Sequence, residues 1–108
     1  APLSLNNIQV DQPSVIPLSL DGQGIRDINY DPHSKTFLIV SGAPETEKKT
    51  DFGLWEWSGN VPDQPRRVLI IPEKNKPEGV TGVSINGQSF VIVVGDVGSY
   101  LKLDYKTK

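Results

Sequence analysis

The sequence contains no cysteine, and it has a single histidine, His33. Without cysteine the chain has no disulfide, no thiol nucleophile, no cysteine-type zinc site and no iron–sulfur cluster. One histidine also excludes a metal site built from several imidazoles. The missing cysteines leave the compartment undecided, because exported proteins without cysteine are common.

The charge is nearly balanced, and long apolar runs are missing. Lys plus Arg is 11 and Asp plus Glu is 13, so the formal net charge is −2. A chain without a basic excess gives no reason to expect nucleic acid or an anionic membrane as a partner. No apolar run approaches the ~18 residues that a membrane helix needs, and the first residues lack the basic start and apolar stretch of an uncleaved signal peptide. The sequence therefore predicts a soluble piece.

The composition predicts one small all-β unit over residues 1–108. Ten glycines and nine prolines in 108 residues, with β-branched residues in brief clusters, indicate short strands and turns instead of helices. Residues 36–40 and 89–94 are continuous apolar runs of strand length, which predicts central strands covered on both faces. Residues 52–57 and 66–71 are predicted as outer strands of the same meander, the second ending at Pro72.

An internal repeat organises these strands. Asp11-Gln12-Pro13 recurs 52 residues later as Asp63-Gln64-Pro65, residues 24–30 match 79–85, and residues 37–42 match 90–95. The hairpin dipeptide Asn86-Gly87 replaces a longer turn at residues 31–35, and both of its residues are expected at positive φ. The pattern predicts two tandem four-stranded antiparallel meanders of about 53 residues, repeat one over about 5–57 and repeat two over about 58–108.

The four predicted strands of each copy correspond in order. They are residues 15–20, 24–30, 37–42 and 54–57 in the first copy, and 68–71, 79–85, 90–95 and 100–105 in the second. Meanders of this size are typical of β-propeller blades, but closed propellers have at least about four. Three alternatives stay open: a fragment of a longer propeller, several chains completing a ring, or an eight-stranded β-sandwich or barrel.

Several short motifs resemble a known family. They are Gly24-Ile25-Arg26-Asp27-Ile28, Phe37 to Gly42, Leu54-Trp55-Glu56-Trp57 and Pro77-Glu78-Gly79-Val80. The segment from about 14 to 105 resembles a bacterial, often cyanobacterial, propeller-like family classed as a domain of unknown function. More distantly, it is similar to the family with esterase-like activity of phytase. The resemblance implies that the chain is part of a longer propeller-like protein. Gly82 stands where a symmetric site would place an acidic partner to Asp27.

The candidate ligand site rests on the assumption that the two repeats are propeller blades arranged around a central channel. If residues 25 and 80 begin inner strands, Arg26, Asp27 and Glu78 lie near the channel mouth. Asp27 and Glu78 are candidate metal ligands, and Ca²⁺ is the cation that oxygen ligands of this kind suit, although two carboxylates fall short of its six to eight ligands. The alternative is that Asp27 caps a turn or pairs with a cation, and that Glu78 is an ordinary loop residue.

Two further features are weighed in the same way. Trp55 and Trp57 fall on one face of a regular strand, where they form either a ligand-stacking platform or a packing contact between blades. His33 follows Asp31-Pro32 in a polar turn and has no nucleophile or orienting group beside it in sequence. It is interpreted as a solvent-facing turn residue.

The sequence therefore supports two hypotheses about function. The first is a non-enzymatic β-repeat module for binding or assembly, whose partners are the remaining blades of its own chain or other copies of itself. The second, implied by the resemblance, is part of a channel-type hydrolase that acts on phosphoesters or small esters, with Asp27 and Glu78 as site residues and calcium as the one cofactor considered.

Overall fold

The computed structural model describes residues 15–43, 51–95, 98 and 100–104. This part of the chain contains seven strands and one short 3₁₀ turn, Glu73–Asn75. The strands are β1 (Gly24–Asp31), β2 (Thr36–Gly42), β3 (Phe52–Trp57), β4 (Arg66–Ile71), β5 (Pro77–Ile85), β6 (Gln88–Gly95) and β7 (Tyr100–Asp104). Every paired strand is antiparallel to its neighbour, so the predicted all-β class is confirmed. Within the described ranges, no helix is long and apolar enough to cross a membrane.

The strands form two sheets, each with its strands in chain order. The first sheet has the order β1-β2-β3-β4, and the second has the order β5-β6-β7. No backbone ladder joins the two sheets in the part of the chain that the structure describes, so no barrel or propeller ring is closed there. The structure therefore agrees with the prediction in having two antiparallel sheets. The internal repeat stays a prediction.

Two strands are placed differently from the sequence prediction. Residues 15–20, predicted as a strand, form none, and Pro17 would leave a gap in any ladder because it has no N–H to donate. Residues 68–71 were predicted as the first strand of the second repeat. They lie in β4, which pairs with β3 and is the last strand of the first sheet. The pairing confirms that 52–57 and 66–71 are strands of one meander. The Asp11-Gln12-Pro13 copy of the repeat lies outside the described residues.

The hairpin between β5 and β6 has the predicted turn. Ile85 pairs with Gln88, which leaves Asn86 and Gly87 as a two-residue loop. Their φ angles are +52° and +79°. Both residues need the left-handed region, which asparagine and glycine adopt more readily than other residues, so this dipeptide sets the register of the two strands.

The main core lies between the two sheets. Alternate residues of β2, Leu38 and Val40, point to the second sheet, and Val80, Val91 and Val93 of that sheet meet them. Leu54 and Ile71 complete this buried cluster. Since a strand directs successive side chains to opposite faces, one face of each sheet supplies the main core.

The other face of the first sheet is also covered, whereas that of the second is open. Ile39 points away from the main core and is fully buried with Leu20 and Trp55, beneath the segment that leads into β1. The expectation of a strand covered on both faces is therefore confirmed for β2. It is wrong for β6, where Val94 is 45% exposed, because no described residue packs over that face deeply enough to bury it.

Adjacent residues of β4 give a matched test of this core. Ile71 is fully buried and Ile70 is 53% exposed. We expect Ile71→Ala to lower the free energy of unfolding by about 2–5 kcal/mol, through lost burial and the cavity left behind. Ile70→Ala should change it by about 1 kcal/mol or less. Urea unfolding followed by tryptophan fluorescence measures both, and equal losses would contradict the assigned faces.

Candidate functional site

Polar side chains of β1 contact the edge of β5, where the two sheets come together. Oδ2 of Asp27 accepts a hydrogen bond from the Val80 N–H at 2.8 Å. Nδ2 of Asn29 donates to the Val80 carbonyl at 3.2 Å. The N–H and C=O of one strand residue point to the same edge of a sheet, so these are the groups of Val80 that β6 does not use. Asp27 and Asn29 thus satisfy a free strand edge with side chains, and we name this pair of contacts the β1–β5 clamp.

An ion pair lies beside the clamp. Nη2 of Arg26 is 3.3 Å from Oε1 of Glu78, and Nε of Arg26 donates to the Pro77 carbonyl at 3.1 Å. The side chains of Arg26 and Glu78 are 35% and 51% exposed. The guanidinium also lies 5.4 Å from the centroid of the Phe52 ring. Arg26 is therefore held by three different groups on two sheets.

Both partners of this ion pair are extra residues in their strands. The register of β1 on β2 shifts between Ile25 and Asp27, and that of β5 on β6 shifts between Pro77 and Gly79. Arg26 and Glu78 are thus left without a partner in the ladder. A bulge of this kind redirects a side chain away from the regular alternation. The two bulges direct the charged groups to each other across the sheets.

The structure thus brings Arg26, Asp27 and Glu78 together and engages them with protein groups, while their place at a channel mouth stays a prediction. Glu78 faces a cation of its own chain, and Asp27 accepts a backbone N–H. No group of three or more acidic or histidine side chains suited to a metal ion occurs among the described residues. Calcium takes six to eight oxygen ligands. What this arrangement can do chemically is hold two sheets in register.

Asp31 and Gly82 make a second contact between the same strands, which sequence reasoning missed. The side chain of Asp31 is buried; it accepts hydrogen bonds from the Ser34 hydroxyl at 2.9 Å and from the His33 N–H at 3.2 Å. A Cβ atom at Gly82 would collide with the Asp31 carboxylate. Glycine at position 82 therefore makes room for Asp31. The available signal was the alternation of Asp27, Asn29 and Asp31, which places three polar residues on one face of β1.

The two tryptophans lie on the opposite face of the first sheet. Trp55 is 5% exposed, packs with Leu18 and Leu20, and donates from Nε1 to the Ser41 hydroxyl at 2.7 Å. Nε1 of Trp57 donates to the Asp63 carbonyl at 2.9 Å. Both indole N–H groups are thus bonded within the chain, and the ring of Trp55 is covered. The contacts make this pair a packing surface for Leu18 and Leu20.

An open cleft separates the sheets away from the clamp. It has a volume of about 570 Å³, and none of its lining residues belongs to β1 or β5. Its apolar walls are Leu38, Leu54, Leu69, Val91 and Leu103. Glu56 and Arg66, an ion pair between β3 and β4, lie at its polar rim with Asp104 of β7. We name this space the intersheet cleft; no sequence motif pointed to it, because its walls come from five strands.

Comparison with known proteins finds no match to a family model, and neither a curated protein nor a solved structure matches the chain significantly. Function is therefore argued from the geometry of this chain.

The clamp predicts unequal effects for its two carboxylates. Asp27→Ala removes the acceptor of a part-buried N–H, so we expect the free energy of unfolding to fall by about 1–3 kcal/mol. Asp27→Asn keeps a side-chain oxygen and should restore most of this loss. Glu78→Ala removes only a half-exposed ion pair, and should cost about 0–1 kcal/mol. Urea titration of the three variants checks these values. An Asp27→Ala variant as stable as Glu78→Ala would contradict the clamp.

Proposed function

We propose that the chain is a non-enzymatic β module that serves binding or assembly, as part of a larger propeller-like structure. The β1–β5 clamp carries this proposal. In a channel-type hydrolase, Asp27 and Glu78 would face substrate or a cation. Here the Asp27 carboxylate holds the Val80 N–H, and Arg26 neutralises Glu78. These contacts favour a structural role for both residues.

The arrangement of the sheets supports a blade-like module. Each sheet is a simple antiparallel meander, and β1 and β5, the first strand of each, are the strands through which the sheets approach most closely. Strands of successive propeller blades meet in this way near the central axis, and their outer strands diverge.

Exposed apolar side chains support assembly with further β-structure. On the second sheet, Ile85, Val94 and Tyr100 are 54%, 45% and 64% exposed. They lie on the face away from the main core. Val94 and Tyr100 lie opposite each other at one end of this face, and Ile85 lies at the hairpin end. Exposed apolar groups on a sheet face are a common mark of a surface that another element covers. The proposed partners are further blades of a longer chain or other copies of this one.

Calcium and ester assays test the non-enzymatic assignment. We expect millimolar calcium to produce no binding heat in calorimetry and no rise in Tm, because Asp27 and Glu78 are already engaged. We also expect no hydrolysis of p-nitrophenyl acetate or p-nitrophenyl phosphate above the buffer rate, with or without calcium.

The opposite outcome is defined by a pair of variants. Calcium-dependent stabilisation or hydrolysis that Glu78→Ala abolishes, and that Asp21→Asn retains, would assign a catalytic or metal site and overturn the proposal. Asp21 is a suitable control because its exposed carboxylate pairs with Arg67, away from the clamp. Activity that survives both substitutions would place a catalytic site elsewhere in the chain and would equally contradict a non-enzymatic role.

A further inference from the structure

β7 ends the second sheet and has an open edge. It pairs with β6 along one side, from Val94↔Tyr100 to Phe90↔Asp104. Among the described residues, no strand pairs with its other side. The backbone N–H and C=O groups along such an edge can pair with a further strand. The edge strand of the second sheet is therefore a place where another chain can add to it.

The two faces of β7 differ in chemistry. Leu101 and Leu103 point to the first sheet, where they pack on the main core, and Leu103 also lines the intersheet cleft. Tyr100, Lys102 and Asp104 alternate with them toward the outer face, and Asp104, the last residue of the strand, also borders the intersheet cleft. Nζ of Lys102 is 3.7 Å from Oδ1 of Asp104 and 4.7 Å from the centroid of the Phe90 ring. One acidic and one basic side chain thus stand on either side of a leucine.

This order of charges makes β7 complementary to itself. In an antiparallel pair of two β7 strands centred on Leu103, Leu103 lies opposite Leu103 of the second strand. Lys102 then lies opposite Asp104, and Asp104 lies opposite Lys102. Directly opposite residues lie on the same face of the sheet, close enough for oppositely charged side chains to attract each other. Both charge pairs are satisfied at once, because a two-fold axis repeats each contact.

We propose that β7 is a self-association edge: it pairs antiparallel with β7 of a second copy of this chain and joins the two second sheets into one six-stranded sheet. The proposal rests on the assembly function proposed above, and it names the edge and the partner. The second copy's Leu103 extends the apolar wall of the intersheet cleft beyond the edge of the sheet. Centred on Leu103, the pairing joins only residues 102–104 of each β7 strand, so it buries little area, and the association is weak and depends on protein concentration.

Charge variants of β7 test this register. Lys102→Asp places aspartates opposite each other at both contacts, and Asp104→Lys places lysines there. We expect each single variant to raise the dimer Kd by about tenfold or more, because two attractive pairs become repulsive. The double swap Lys102→Asp with Asp104→Lys restores both pairs and should return the Kd to near the wild-type value. Sedimentation equilibrium over a range of concentrations measures all four proteins.

The design separates pairing from folding. The side chains of Lys102 and Asp104 are 50% and 78% exposed, so the single substitutions should leave far-UV circular dichroism and Tm nearly unchanged. Asp104→Lys also keeps Lys102 over the Phe90 ring. The double swap keeps one acid and one base on the same face of β7. A loss of dimer in both single variants with recovery in the double swap therefore reports the contact between copies.

Other outcomes overturn the inference without deciding the proposed function. Self-association that all three variants leave unchanged would place the interface elsewhere, while assembly itself stands. A wild-type chain that stays monomeric at every concentration would exclude β7 self-pairing. The calcium and ester assays test the non-enzymatic assignment separately, because they do not depend on oligomeric state.

Discussion

The pair of hydrogen bonds between β1 side chains and the Val80 backbone sets the position of the two sheets. An unpaired backbone group that is shielded from water costs free energy comparable to a lost hydrogen bond. Val80 lies on the edge of its sheet, and it is 4% exposed because it also belongs to the main core. Its N–H and C=O therefore need partners. Asp27 and Asn29 supply them, and this lets a sheet edge lie inside the molecule.

The unusual alternation of β1 follows from the same requirement. Its polar residues Asp27, Asn29 and Asp31 share the face directed to β5, while Ile28 and Tyr30 on the other face are 41% and 47% exposed. A strand that covered an apolar sheet face would have the opposite pattern. β1 instead contacts the backbone edge of β5, whose N–H and C=O groups need hydrogen-bonding side chains as partners. The absence of a side chain at Gly82 allows the strands to come close at the Asp31 end of this contact.

The two sheets come close at β1 and β5, and the intersheet cleft lies between their other strands. The intersheet cleft is bounded by β2, β3, β4, β6 and β7, while β1 and β5 meet at the clamp. The two sheets approach most closely at β1 and β5 and also meet across the main core, and the cleft opens beyond that core. The apolar walls of the cleft lie beside the edge of β7 with which no described strand pairs. This geometry links the structural role of Asp27 to the surfaces through which the module is proposed to assemble.

The local features were readable from sequence, because turn chemistry and apolar periodicity act over a few residues. Asn86-Gly87 predicted its hairpin, and residues 36–40 predicted a doubly covered strand. The sequence placed 66–71 both in a meander with 52–57 and at the start of the second repeat, and only the tertiary structure decided for the first sheet. It also left 15–20 without a strand, since pairing depends on which edges are free. It also decided that Arg26 faces Glu78 and that Asp27 holds Val80. Those contacts join residues about fifty positions apart, and no local pattern specifies which backbone edge a carboxylate will meet.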